Sequence, residues 1–117
     1  MGTISIILTR PPYGTVDASE AVRHALGGIT EDMSVNLILF DAGVMAALKG
    51  QDVTGTVYKS IEEGLRDCID MGADVYVDRI SLKEQQIEAG QLIEGVTVMS
   101  SYEISETIRD SDTVMIF

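Results

Sequence analysis

Five short apolar runs, rich in Val and Ile and spaced by segments of helix length, constrain this chain more than any other feature. They are Ile4–Leu8, Val35–Phe40, Val75–Val77, Val96–Met99 and Val114–Phe117. Strands that stay apolar on consecutive positions are buried on both faces, the pattern of parallel βαβ units in a sheet with helices above and below it. The expected architecture is therefore α/β: a three-layer α/β/α domain around a five-stranded parallel sheet with four crossovers. At 117 residues, 1–117 reads as one domain, long enough to bury roughly two-thirds of its unfolded surface without disulfides or metal as staples. No linker, repeat or low-complexity tract interrupts it.

The helix starts carry their own punctuation. Ser60-x-x-Glu63, Ser81-x-x-Glu84 and Ser100-x-x-Glu103 match the capping box, in which Ser and Glu side chains satisfy orphan backbone N–H groups. A first helix is expected after Gly14, with Thr15 as N-cap, Asp17 near the positive end of the dipole and a stop at Gly27-Gly28. Its apolar stripe is Ala18, Ala21, Val22, Ala25 and Leu26. A second helix places Ile61, Leu65, Cys68 and Ile69 on one face.

Charge and residue counts exclude several classes. With 8 Lys+Arg against 19 Asp+Glu the net charge is −11, which argues against nucleic acid or an anionic membrane as a direct partner, since both need clustered cations. One cysteine, Cys68, and one histidine, His24, cannot build a disulfide framework or a Cys/His zinc site. No stretch reaches about 18 apolar residues, so no membrane span is expected. The first residues alternate as a strand, with no basic region and cleavage site, and the chain is read as cytoplasmic.

Few side chains are singled out for chemistry. Cys68 sits on an apolar helical stripe between Asp67 and Asp70; burial and negative charge both suppress a thiolate, so a structural role is expected. His24 is assigned to a solvated helix face with Asp17 and Glu20, away from the strand ends, and no G-x-S-x-G elbow accompanies it. Arg10-Pro11-Pro12-Tyr13-Gly14-Thr15 joins the first strand to the first helix, on the rim where open parallel sheets bind ligands. There Arg10 and Thr15 can hold an oxyanion or a persulfide-bearing tail of a partner; equally, the segment can be an ordinary tight turn with Tyr13 packed over the sheet edge. It is neither a Walker A loop nor G-x-G-x-x-G. Asp78, directly after the third strand and before Arg79, belongs to the same rim, where it can pair with Arg79 or cap a helix.

These residues, taken in order, resemble the DsrE/DsrF-like family, and within it the TusC/DsrF branch of sulfur-relay subunits. The likeness spans essentially the whole chain. It rests on a first strand followed by Pro12-Tyr13-Gly14-Thr15, on Gly43-Val44 and Leu48-x-Gly50-Gln51 after the second strand, and on Gly72 and a third strand followed by Ser81-Leu82-Lys83-Glu84. A last strand ending at Ile116-Phe117 completes it. The resemblance implies an α/β/α fold, assembly with related DsrE/DsrH-type chains or with itself, and a part in passing sulfane sulfur as a cysteine persulfide. No cofactor and no metal is expected. In catalytic members the acceptor cysteine follows the third strand; this chain has Asp78 there, and an Asp cannot carry a persulfide. The function expected is thus that of a non-catalytic DsrF/TusC-like subunit supporting a cysteine-bearing paralogue, with Val44, Met45 and Leu48 as candidate interface contacts. Two other readings stay open: a phosphate- or nucleotide-binding module using Arg10–Thr15, and a sulfurtransferase using Cys68.

Overall fold

The computed structural model describes residues 2–117. Five strands, β1 (Thr3–Leu8), β2 (Ser34–Leu39), β3 (Asp74–Asp78), β4 (Val96–Met99) and β5 (Thr113–Ile116), form one parallel sheet in the order β4-β3-β2-β1-β5. The connecting helices are α1 (Asp17–Thr30), α2 (Ile61–Asp70), α3 (Arg79–Glu84) and α4 (Ser101–Arg109). A 3-10 segment, Asp41–Ala47, follows β2, and a shorter one, Ala89–Gln91, precedes β4. The chain steps from β1 to β4 in one direction and then returns across the sheet to β5. Right-handed crossovers consequently put α1 and α2 on one face and α4 alone on the other.

Both faces are apolar, which is why the strand runs are continuous rather than alternating. On the first face Ile6, Leu8, Leu37, Leu39, Val75 and Val77 meet Ala18, Ala21 and Ala25 of α1 and Ile61, Leu65 and Cys68 of α2. Ile7 and Ile38 look the other way and pack under Ile104 of α4, with Phe40, Tyr76, Met99 and Ile108 around them. Coverage of this second face is incomplete. In β5, Val114 and Ile116 stand beside Ser5 and Ile7 on that face, yet they are 41% and 70% exposed because α4 does not reach over them.

Three helix boundaries differ from the expected ones. Helix α1 has Val16 as its N-cap, without a side-chain cap; Thr15 Oγ1 instead accepts a long 3.3 Å bond from the Asp17 N–H. The helix also runs through Gly27-Gly28 to Thr30. A Cβ on Gly28 would lie 2.9 Å from Val35 Cγ2, so this glycine lets the helix approach β2 rather than ending it. Ser100 and Glu103 form a complete capping box at α4, and Ser60 Oγ caps α2 by accepting from the Glu63 N–H. Ser81 caps nothing: α3 begins two residues earlier with Asp78 as its N-cap, and Ser81 is its buried third residue.

Candidate functional site

The carboxyl ends of β1 and β2, where an open parallel sheet normally leaves a crevice, are stoppered by the 3-10 segment Asp41–Ala47. Gly43, Val44, Ala46 and Ala47 are buried there. Gly43 is pressed against β1 so closely that a Cβ would stand 2.0 Å from the Leu8 carbonyl oxygen, so only glycine fits. This plug divides the rim. Arg10–Thr15 follows β1 on one side of it and Asp78 ends β3 on the other. Val44 is fully buried, and Met45 and Leu48 are half-buried beside it; Val44 closes the core and offers no surface to a partner.

On the β1 side Tyr13 acts as a fastener. Its hydroxyl donates to Gln51 Oε1 and accepts from the Ile61 N–H at 3.1 Å. The Gln51 amide donates in turn to the carbonyls of Ala46 (2.8 Å) and Leu48 (3.0 Å). Free donors at the start of α2 are thereby satisfied by the protein's own side chains. The tyrosine ring also meets that of Tyr58 at 5.4 Å, so Tyr13 packs on the loop before α2 rather than over the sheet edge. Arg10 has Asp17 as its neighbour, 3.8 Å away across an exposed pair. Gly14 takes a positive φ of 102° in the turn between them.

On the β3 side Asp78 is 2% exposed. Its Oδ2 accepts from the Ser81 N–H (2.9 Å) and the Ser81 hydroxyl (2.6 Å), while Ser101 Oγ of α4 approaches its Oδ1 at 3.5 Å. Ser81 Oγ accepts from the Asp41 N–H at 2.8 Å, tying the plug to α3. Asp78 is thus a helix cap, the second of the two ordinary roles expected for it. No ion pair with Arg79 forms among the described residues. Arg79 is exposed; Glu103 is held below its ordinary value mainly by its hydrogen bonds with Ser100, with the Arg79 charge adding to them. Sequence reading missed Ser81 and Ser101 as partners of Asp78, and Asp41 as the partner of Ser81. The usable signal was the Asp78-x-x-Ser81 spacing, an N-cap and its third helical residue.

Cys68 is fully buried, and desolvation, with the charge of Asp67 behind it, pushes its thiol up to about 11. His24 departs from expectation. It is half-buried, with Nδ1 2.8 Å from the Glu20 carbonyl oxygen, and its ring lies 5.3 Å from that of Phe117 beyond β5. An open groove between α1 and α2 is lined by charges that compensate one another, Arg23 on Glu20 and Arg66 on Glu62. No grouping of His, Cys, Asp and Glu suited to a metal ion occurs among the described residues. No described helix is long and apolar enough to cross a membrane.

With this geometry in hand, comparison with known proteins is informative. The crystal structure of the ychN protein from E. coli superposes with a TM-score of 0.89 over 100% of both chains, at 24% identity. A protein of unknown function from Methanobacterium thermoautotrophicum gives 0.72 over 98% of this chain and 99% of its own, at 11% identity. In sequence, an uncharacterised protein of Methanocaldococcus jannaschii is 31% identical over 97% of each chain. The intracellular sulfur oxidation protein DsrF of Allochromatium vinosum is 31% identical over 92% of this chain and 90% of its own. Residues 3–117 match the DsrE/DsrF-like family, and the chain belongs to that family.

Proposed function

We propose that this chain is a non-catalytic, DsrF/TusC-like subunit of an intracellular sulfur relay, packing beside a cysteine-bearing paralogue and supporting its persulfide site. The observation that carries the reading is Asp78: where catalytic relatives keep the acceptor thiol, this chain has a buried carboxylate engaged by Ser81. The one thiol present is buried and strongly protonated at neutral pH. A relative at 31% identity is itself named for intracellular sulfur oxidation. Neither alternative reading gains an observation, because Asp17 stands next to Arg10 and Cys68 has no exposure.

The test is co-expression with a DsrE-type chain carrying the cysteine after its third strand, encoded in the same genome. The two chains are expected to co-elute, with sulfane sulfur from a polysulfide donor loading on the partner only, as read by cyanolysis. Separate elution, or stoichiometric loading of the isolated chain, overturns the proposal.

A further inference from the structure

The uncovered part of the second sheet face has a shape and charge that specify an occupant. Val114 and Ile116 of β5 lie in register with Ser5 and Ile7, so they extend the apolar floor on which α4 sits, but they are 41% and 70% exposed. β5 is also an edge strand, bonded only to β1. Along Thr113–Ile116 it has no charge, proline or bulge, the devices that keep free edges from pairing.

The surroundings of this strip are acidic. Between residues 101 and 117 stand Glu103, Glu106, Asp110 and Asp112, against a single cation, Arg109, which Glu106 already holds in an ion pair. Among the described residues, Asp110 and Asp112 thus flank the start of β5 without a basic side-chain partner, and Asp112 Oδ2 accepts the Thr3 N–H at 2.8 Å. A second copy laid on the same strip brings the same carboxylates and another −11 of net charge. Contacts across an interface are closer than the roughly 8 Å screening length at physiological salt, so this repulsion persists.

From these observations we infer that the β5 strip, Val114 and Ile116 framed by Asp110 and Asp112, is the docking surface for a different protein chain that presents an apolar patch rimmed by Lys or Arg. The inference rests on the subunit reading above and identifies the surface and partner chemistry through which that subunit engages.

The experiment measures binding of the full-length chain to the co-encoded cysteine-bearing DsrE-type protein by light scattering after size exclusion and by titration. Variants are Ile116→Glu and Asp110→Lys, with Val57→Glu, 97% exposed on the loop before α2, as a control. Asp110→Lys places a cation at the C-terminus of α4, which favours the helix, and its urea midpoint, expected to be unchanged or raised, separates weaker binding from unfolding. Each of the two variants is expected to weaken binding at least tenfold, with the control unchanged, and binding is expected to fall as NaCl rises from 50 to 500 mM. Unchanged binding by Ile116→Glu and Asp110→Lys overturns the docking surface and leaves the subunit reading standing. No complex with the wild-type chain overturns both. Self-association of the wild-type chain that Ile116→Glu abolishes overturns the assignment of a different, basic partner.

Discussion

A thiol buried among Ile61, Leu65 and the strands of the first face is chemically quiet for a reason that can be measured. Cys68 titrates at about 11 rather than near 9.0 because charging it means solvating a thiolate inside the core, with Asp67 nearby. The sign of the linkage follows. Below the unfolded thiol's value both states are protonated and the contribution is fully present; as pH climbs from about 9 to about 11 the unfolded chain ionises first and stability is lost. The urea midpoint should therefore fall across that alkaline window in the wild-type chain and fall less in Cys68→Ala, which has nothing to ionise. At neutral pH the thiolate fraction is on the order of one part in ten thousand. Iodoacetamide should accordingly label Cys68 only as fast as the fold opens, and rapid labelling under native conditions would count against the buried position.

At the level of elements, the fastener and the plug decide how the rim is organised. Tyr13→Phe removes the hydroxyl that links Gln51 to the Ile61 N–H and leaves that helix-start donor short of its partner. A loss of about 1–3 kcal/mol in urea unfolding is expected, with faster amide exchange at Ile61 and earlier proteolysis between Gly50 and Ser60. The strands and the stripes of α1 and α2 were legible in the sequence because burial on a sheet or helix face repeats with a fixed period. Long-range contacts hid the rest. Gly28 reads as a helix stop until Val35 is seen against it, and Ser81 reads as a cap until Asp41 and Asp78 claim its hydroxyl. The plug was illegible because seven residues, Asp-Ala-Gly-Val-Met-Ala-Ala, have no period, and their place is set by the Leu8 carbonyl. The position of Asp78 at the end of β3 is legible from the apolar run that precedes it. Its separation from Arg10–Thr15 was not readable, since nothing local marks what lies between them.

Across the whole molecule, the first turns of α1, α2 and α4 carry favourable acidic residues, but their C-terminal ends collect charge of the wrong sign. Helices α1 and α2 have no basic residue in their last turns; Asp70 ends α2, and Glu31, Asp32, Asp110 and Asp112 follow the C-termini of α1 and α4, where the macrodipole disfavours anions. Added to a net charge of −11, this predicts a fold stabilised by salt: the thermal midpoint should rise between 0.02 and 0.5 M NaCl, and a flat or falling profile would refute the electrostatic account. The sheet order has a temporal consequence as well. β1 is flanked by β2 and by β5, and β5 is Thr113–Ile116, so roughly 100 residues must be translated between the two halves of a single ladder. At about 5–20 residues per second that interval is on the order of 5–20 s. Throughout it the nascent polypeptide keeps one side of β1 unzipped, and native closure of the sheet waits for Thr113–Ile116 to emerge.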